Sequence, residues 1–291
     1  MPLEHADVTP LALGEGALWD AATGRVYWIG VEDRTLRWLS HADGSVGEIA
    51  LPTMPGTVAP YRDGTVLLAV AEGFALLDTA TGTLRTVAEV ETDRPDRRMN
   101  DGKCDPFGRI VAGTMQVDEP RRPGPLYRLE PDAADRSGVP GIPGVTAVPI
   151  ADGFLIPNGL DWPEPDLLWH TDTPRRRIDL YAYPEHGPLA TPLRSLDLSH
   201  LGGDPDGMTL DAEGNLWIAF WGGGVVRCLS PQGRLLETVE LPVPNVTSCA
   251  FGGPELDTLY VTTAGGGLFR QSGLGRGRPA NAWSGFARPG E

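Results

Sequence analysis

The chain has few cysteines, few basic residues and no long apolar run, and each shortage excludes a class of protein. Its three cysteines, Cys104, Cys228 and Cys249, are an odd number without metal-type spacing, so we expect buried, reduced thiols and a cytoplasmic location. No apolar stretch reaches the ~18 residues of a membrane span. The N-terminus lacks a cationic start followed by an apolar segment, so neither membrane insertion nor a secretion signal is expected.

Basic residues are outnumbered by acidic ones. The 24 Lys and Arg against 39 Asp and Glu give a net charge of −15. Because phosphate backbones are bound by clustered Lys and Arg, nucleic acid is not expected as a partner. The basic runs Arg94–Arg98 and Arg175–Arg177 are short and have acidic neighbours. No pattern indicates a protein partner. No long segment has helical periodicity, so few helices are expected.

An internal repeat is the main feature that is present. Six segments combine a turn with an apolar run, and they are anchored on Val26, Val66, Ile110, Leu167, Leu216 and Leu259. They recur about every 40–50 residues, which is the interval of one β-propeller blade. The longer interval between Ile110 and Leu167 contains two turn-rich stretches, Glu119–Gly124 and Pro131–Gly144. We interpret both stretches as insertions in the third unit.

The fifth unit shows how each repeat would fold. Its four short apolar runs are Gly207–Leu210, Leu216–Phe220, Val225–Leu229 and Leu235–Leu241. The Gly- and Pro-containing turns between them are typical of antiparallel hairpins. Six such units predict an all-β protein, a six-bladed β-propeller with four antiparallel strands per blade, in a single domain covering residues 1–291.

The two ends of the chain indicate how the ring closes. Every inner strand follows the outer strand of the preceding unit, yet the segment Val8–Leu13 has no preceding unit of its own. The last unit has little apolar sequence after Phe269. We therefore expect Val8–Leu13 to be an N-terminal strand that closes the last blade, which leaves no open sheet edge.

Oxygen-bearing side chains occupy the same place in four of the repeats: Glu15, Asn100, Asn158 and Asp206. Each lies about ten residues before its anchor, at the start of an inner strand that lines the channel, so the four should converge. Carboxylates and amides without His or Cys favour Ca²⁺, Mg²⁺ or Mn²⁺ and do not exclude Fe²⁺ or Zn²⁺. The alternative is that each residue caps a turn. The shared register favours one divalent cation site.

Several short motifs resemble those of one known family. In chain order they are Leu13–Trp19, Arg98–Lys103, Gly113–Met115, Pro157–Trp162, Pro205–Met208 and Phe251–Gly253. They resemble the regucalcin (senescence marker protein) and gluconolactonase family from about Leu13 to Leu274. The resemblance implies a six-bladed propeller with one divalent cation in its channel. For bacterial members it also implies hydrolysis of aldonolactones.

The resemblance also implies roles for individual residues. By motif matching, the metal ligands would be Glu15, Asn158 and Asp206, and the sugar contacts would be Arg98, Asn100 and Asp118. Asn100 would lie close to the metal. Asp118 stands where the animal protein carries a substrate-binding Glu.

These residues predict a reaction. A divalent cation can polarise a lactone carbonyl and lower the pKa of a bound water. Asp206 is the candidate general base, because one carboxylate oxygen can bind metal while the other faces the water. We therefore expect metal-dependent hydrolysis of a small-molecule sugar lactone. Two alternatives stay open: an organophosphate or aryl-ester hydrolase on the same metal site, and a non-enzymatic calcium-binding propeller.

Overall fold

Six four-stranded antiparallel sheets form the blades of a β-propeller in the computed structural model. The predicted fold class is therefore confirmed. The structure describes residues 2–62, 64–118, 121–132 and 144–285. Helical structure in these ranges consists of two 3-10 turns, Thr173–Arg175 and Ser199–Leu201. None of the described residues belongs to a helix long and apolar enough to span a membrane.

The chain begins with β1 (Glu4–Asp7) and then builds three blades in order. Blade 1 contains β2 (Gly14–Asp20), β3 (Arg25–Gly30), β4 (Thr35–Ser40) and β5 (Val46–Ala50). Blade 2 contains β6 (Pro55–Pro60), β7 (Thr65–Val70), β8 (Gly73–Asp78) and β9 (Leu84–Glu89). Blade 3 contains β10 (Arg97–Cys104), β11 (Ile110–Gln116), β12 (Gly124–Pro131) and β13 (Val145–Phe154).

The second half of the chain builds the other three blades. Blade 4 contains β14 (Pro157–Asp161), β15 (Leu167–Asp172), β16 (Arg177–Ala182) and β17 (Arg194–Asp197). Blade 5 contains β18 (Asp204–Leu210), β19 (Leu216–Trp221), β20 (Val225–Leu229) and β21 (Leu235–Glu240). Blade 6 contains β22 (Val246–Gly252), β23 (Thr258–Thr263) and β24 (Leu268–Ser272), with β1 as its outer strand.

The second strand of each blade carries the repeat anchor and is almost entirely buried. Val26, Ile110, Leu216 and Leu259 are fully buried. Both faces of these strands are covered by neighbouring blades, so they lack the apolar–polar alternation of a sheet with one wet face. The outer strand Val46–Ala50 does alternate between exposed and half-buried residues, because it lies at the rim.

Apolar clusters fill the spaces between neighbouring blades. Six clusters occur among the described residues, and each joins two adjacent blades. Between blades 5 and 6, for example, Trp217 and Phe251 meet edge to face with ring centroids 5.4 Å apart. Between blades 6 and 1 the cluster includes Trp19, Trp28 and Tyr260. Side-chain packing therefore continues around the whole ring.

The N-terminus closes the ring as expected, but the predicted position of the closing strand is wrong. The strand that pairs with β24 is Glu4–Asp7, and Val8–Leu13 lies outside it. The strand ends because the Asp7 carboxylate accepts the Thr9 amide at 3.0 Å, while Pro10 has no N–H to donate. Leu11 still contributes to the core between blades 6 and 1, whereas Val8 is 73% exposed.

The C-terminal segment packs across the ends of inner strands. Its contacts are, in order, Gly277 with Asp211, Arg278 with the Trp162 carbonyl, Asn281 with the Cys104 carbonyl and the Trp283 amide with the Pro60 carbonyl. The Trp283 ring then enters the cluster between blades 2 and 3, 4.5 Å from the ring of Tyr61. This segment therefore covers the channel mouth at which the inner strands end.

The two predicted insertions flank β12, which the structure assigns to Gly124–Pro131. Residues 119–120 and 133–143 of these stretches lie outside the described part of the chain. All three cysteines are buried and form no disulfide. Burial raises the pKa of the Cys228 and Cys249 thiols to about 12, which disfavours reactive thiolates.

Removing residues 2–7 should destabilise the propeller, because the outer edge of β24 and the apolar surface beneath it would become exposed. We expect the free energy of unfolding to fall by about 1–3 kcal/mol. Denaturant unfolding of the truncated chain measures this loss. Val8→Ser is the matched control and should have wild-type stability. A truncated chain as stable as the full one would show that β1 does not close the ring.

Candidate metal centre

The four predicted oxygen-bearing residues lie at the starts of the inner strands β2, β10, β14 and β18. Each strand has a β-bulge at this point, where the register shifts between Glu15 and Leu18, Met99 and Gly102, Pro157 and Leu160, and Pro205 and Met208. A bulge adds a residue on one strand and re-aims its side chains. The same local irregularity therefore places one candidate residue from each of four blades at the same end of the channel.

Glycines beside these residues let the inner strands approach one another closely. A side chain on Gly159 would place its Cβ 2.6 Å from the carbonyl oxygen of Asp206. A side chain on Gly207 would place its Cβ 2.6 Å from the Ser248 hydroxyl of blade 6. Gly16 has a φ of +60°, a left-handed conformation that favours glycine. The narrow channel that concentrates the polar groups depends on these glycines.

The two asparagine side chains of the site differ in whether their amide oxygen has a hydrogen-bond partner. Asn100 accepts a 2.8 Å hydrogen bond from Arg98 Nη1 at its oxygen and donates a 2.9 Å hydrogen bond to the Pro157 carbonyl. Asn158 is buried, and its Oδ1 has no hydrogen-bond partner among the described residues. Only the Asn158 oxygen is therefore fully available to a ligand.

Asp206 also presents a free buried oxygen. Its Oδ1 is shielded from solvent and has no hydrogen-bond partner among the described residues. A buried acceptor without a partner costs about 1–3 kcal/mol. Two such atoms, from Asn158 and Asp206, lie on neighbouring blades. Their lack of protein partners is what a cation site would require.

Negative charge is concentrated around these oxygens. Burial, reinforced by the charge of Asp101, raises the pKa of Glu15 to about 8. Burial first, and then the charges of Glu15 and Asp101, hold the pKa of Asp206 well above its usual range, while the Asn158 amide opposes this rise. Carboxylates that disfavour each other's ionisation in a low-dielectric channel create a site that a cation would stabilise.

Asp101 is a site residue that the sequence interpretation missed. It is enclosed in the channel directly after Asn100, and burial raises its pKa to about 6 against the opposing charge of Lys103. The bulge in β10 between Met99 and Gly102 is the reason, because it disrupts the alternation that would send neighbouring side chains to opposite faces. The sequence feature that could have indicated a role for Asp101 is the run Asn-Asp-Gly at 100–102.

Arg98 lies within the site and is not a solvated loop charge. It is buried on β10, and its Nη1 donates to the Met99 carbonyl at 2.9 Å as well as to Asn100. Burial lowers the pKa of its guanidinium, and the carboxylates of Glu15 and Asp206 favour its charged form. No hydrogen bond among the described residues uses its Nε or Nη2. Those groups remain able to donate to a ligand.

Asp118 stands apart from this group. It is exposed and follows the end of β11 at Gln116. Among the described residues, no hydrogen bond or ion pair joins it to Arg98 or Asn100. The structure thus brings together five of the six predicted site residues, and a role for Asp118 stays a prediction.

The donor set of the site differs from the commonest metal clusters. Within the described ranges, no group of three or more His, Cys, Asp or Glu side chains could hold a metal ion. The candidate ligands Glu15, Asn158 and Asp206 comprise two carboxylates and one amide, so they do not form such a group. All three supply oxygen, which suits hard cations.

A separate cavity of about 160 Å³ lies at the opposite mouth of the channel, beside the C-terminal segment. Two of the four charged side chains in its wall, Lys103 and Asp161, already bond to each other at 2.8 Å. It includes none of the free oxygens of Asn158 and Asp206. The candidate site is therefore the cluster at the starts of the inner strands.

Comparison with known proteins places the chain in a family. A profile described as "SMP-30/Gluconolactonase/LRE-like region" matches residues 13–265. Pentonolactonase XacC of Haloferax volcanii is 35% identical, over 89% of this chain and 84% of that protein. The 6-deoxy-6-sulfogluconolactonase of Pseudomonas putida is 34% identical, over 88% and 84%. The crystal structure of regucalcin from Agrobacterium tumefaciens, described as a calcium-binding protein, matches with a TM-score of 0.83 and 30% identity, over 97% and 98%. The chain therefore belongs to the SMP-30/gluconolactonase/LRE-like family, as its motifs predicted.

Proposed function

We propose that this protein hydrolyses a sugar lactone with one divalent cation held by Glu15, Asn158 and Asp206. The observation that carries the proposal is the pair of buried, unpartnered Oδ1 atoms on Asn158 and Asp206. Relatives named pentonolactonase and 6-deoxy-6-sulfogluconolactonase support lactone hydrolysis as the reaction class.

The residues present fit a hard cation. Three oxygen donors lie near the starts of the inner strands of three blades. Two of them are carboxylates whose pKa values are raised by burial and by nearby negative charge. Oxygen donors of this kind favour Ca²⁺, Mg²⁺ or Mn²⁺ over Zn²⁺ or Fe²⁺. When bound, the cation would polarise the lactone carbonyl and stabilise the negative charge that develops on its oxygen.

Asp206 is suited to accept a proton from the attacking water. Its carboxylate has two oxygens, so it can act as a ligand through one and as a base through the other. Burial and the neighbouring carboxylates raise its pKa, which makes the ionised form a stronger base. The proton could later pass from Asp206 to the oxygen that leaves when the lactone ring opens.

Arg98 and Asn100 are suited to hold the hydroxyl groups of the sugar. The guanidinium of Arg98 is fixed through Nη1, and its Nε and Nη2 can donate in a planar, paired arrangement. Asn100 retains a second amide hydrogen and a second oxygen lone pair. A polar wall of this kind favours a hydroxylated lactone over an apolar aryl ester.

Loss of any one ligand should weaken cation binding. Glu15→Gln, Asn158→Ala and Asp206→Ala should each reduce affinity by more than the ~10–100-fold that loss of an outer-shell partner costs. Calorimetric titration of metal-stripped protein with Ca²⁺, Mg²⁺ and Mn²⁺ measures this. Aldonolactone hydrolysis should disappear with chelation and return with one cation per chain. Glu164→Gln removes an exposed carboxylate and serves as the control. Wild-type affinity in all three ligand variants would refute the site.

Asp206→Asn separates the two proposed roles of this residue. An amide can still offer an oxygen to the cation but cannot accept a proton, so turnover should fall more than cation affinity does. A general base contributes ~10²–10⁴-fold in rate, and we expect a loss of that size at saturating cation. Near-normal turnover of the cation-loaded variant would remove Asp206 from the role of base.

Arg98→Ala tests sugar recognition. The catalytic efficiency on hydroxylated lactones should fall by about 1.5–3 kcal/mol, because a charged hydrogen-bond donor is lost. An unhydroxylated lactone or a simple aryl ester should be affected much less, and the cation content should not change. Arg98→Lys keeps the charge without the paired donors and is the matched variant. Equal losses on all substrates would contradict a role in binding hydroxyl groups.

A further inference from the structure

A short hydrogen-bond relay connects the two blades that supply the free buried oxygens. Asn158 Nδ2 in blade 4 donates to the Thr173 hydroxyl at 3.0 Å. That hydroxyl in turn donates to the carbonyl of Pro205 in blade 5 at 2.8 Å. Pro205 directly precedes Asp206, so Thr173 joins the amide of one candidate ligand to the backbone beside another.

The direction of this relay follows from its end point. A carbonyl oxygen only accepts hydrogen bonds, so the single hydroxyl hydrogen of Thr173 is used on Pro205. The hydroxyl must then act as acceptor toward Asn158, and only the NH₂ end of that amide can donate. The oxygen end is thereby turned away from Thr173. Thr173 therefore leaves Asn158 Oδ1 without a hydrogen-bond partner among the described residues.

Thr173 is itself held firmly by the backbone. Its N–H donates to the Ile156 carbonyl at 3.1 Å, two residues before Asn158. The preceding residue, Asp172, is buried and accepts the amides of Leu155 and Ile156. Thr173 also begins the 3-10 turn Thr173–Arg175. The hydroxyl therefore has a fixed position relative to the strand that carries Asn158.

We infer that Thr173 is a positioning residue for the cation site, which orients the Asn158 amide so that its oxygen, and not its NH₂ group, faces the cation. The inference rests on the proposed function, because it assigns a purpose to the orientation of a proposed ligand. Thr173 itself does not contact the cation. Its effect is transmitted through the amide of Asn158.

The direct test replaces the hydroxyl by a methyl group of similar size. Thr173→Val leaves Asn158 Nδ2 and the Pro205 carbonyl without this partner, so the amide loses its orientation. Affinity for Ca²⁺ and Mn²⁺, measured by calorimetric titration of metal-stripped protein, should fall by ~10–100-fold. Thr173→Ser keeps the hydroxyl and should restore affinity close to wild type.

A matched control is available in blade 6. Thr258 is buried in β23, and its hydroxyl shares a 2.8 Å hydrogen bond with the Ser272 hydroxyl. It pairs with Gly252 at the end of β22, so Thr258→Val makes the same chemical change far from Asn158, and cation affinity should not change. Equal weakening by the Thr258 and Thr173 substitutions would mean that both act through general loss of packing, and the inference would be wrong.

Repeating the test in a second variant, Asn158→Asp, keeps it decisive even if Thr173→Val destabilises the fold. In Asn158→Asp both ends of the side chain are oxygen, so a cation donor is present whichever way the group turns. Adding Thr173→Val to that background should cost much less affinity than it costs in the wild type. The same fold-loss in both backgrounds would overturn the inference.

The outcomes separate this inference from the proposed function. If wild-type protein binds neither Ca²⁺ nor Mn²⁺, the cation site itself is wrong. If wild-type protein binds and Thr173→Val binds equally well, the site stands and the positioning role of Thr173 is wrong.

Discussion

Burial of both faces of every blade against its neighbours is the constraint on which the rest of the structure depends. A single blade cannot cover its own apolar surface, so the apolar clusters must continue around the ring until blade 6 meets blade 1. The packing of Trp19 and Trp28 against Tyr260 completes that circuit. β1 adds hydrogen bonds to β24 at the same junction. The ring leaves a narrow channel, and its polar chemistry is confined there.

The channel excludes water from the polar side chains that line it, and this changes the pKa values of its carboxylates. Glu15, Asp101 and Asp206 would ionise readily on a surface, but burial raises the pKa of each. Arg98 contributes a positive charge from blade 3, yet its Nη1 is engaged by Met99 and Asn100. The unpartnered buried oxygens of Asn158 and Asp206 lie near the starts of the neighbouring inner strands β14 and β18. A divalent cation, as we propose, would neutralise this charge and give both oxygens a partner.

Much of the fold could be predicted because its signals are local. Turn residues and apolar runs recur at blade intervals, so the six blades and the sheet order follow from the pattern. The closing strand was misplaced because Val8–Leu13 is more apolar than Glu4–Asp7. The choice depends on Asp7 and Pro10, which end the strand earlier. The place of Trp283 could not be predicted, because its partner Tyr61 is distant in sequence and no periodic pattern links the two.

For the candidate site, the sequence predicted residue types and their places in the repeats, but not their hydrogen bonds. Register across the repeats indicated four residues, Glu15, Asn100, Asn158 and Asp206, and the family resemblance implied that three of them bind the metal. Neither could show which amide oxygen would be free. That depends on hydrogen bonds between blades, such as those from Asn100 to Pro157 and from Asn158 to Thr173. Asp101 escaped notice because a β-bulge changes the direction of side chains without any change in composition.

We propose that Glu15, Asn158 and Asp206 hold a cation, and the most direct test is a high-resolution crystal structure of the Ca²⁺-loaded protein. We expect one ion at the starts of the inner strands, with oxygens of all three residues at ~2.3–2.6 Å and Asn158 Oδ1 among them. Density for a water at this position in fully loaded protein, or an ion bound elsewhere in the channel, would contradict the account.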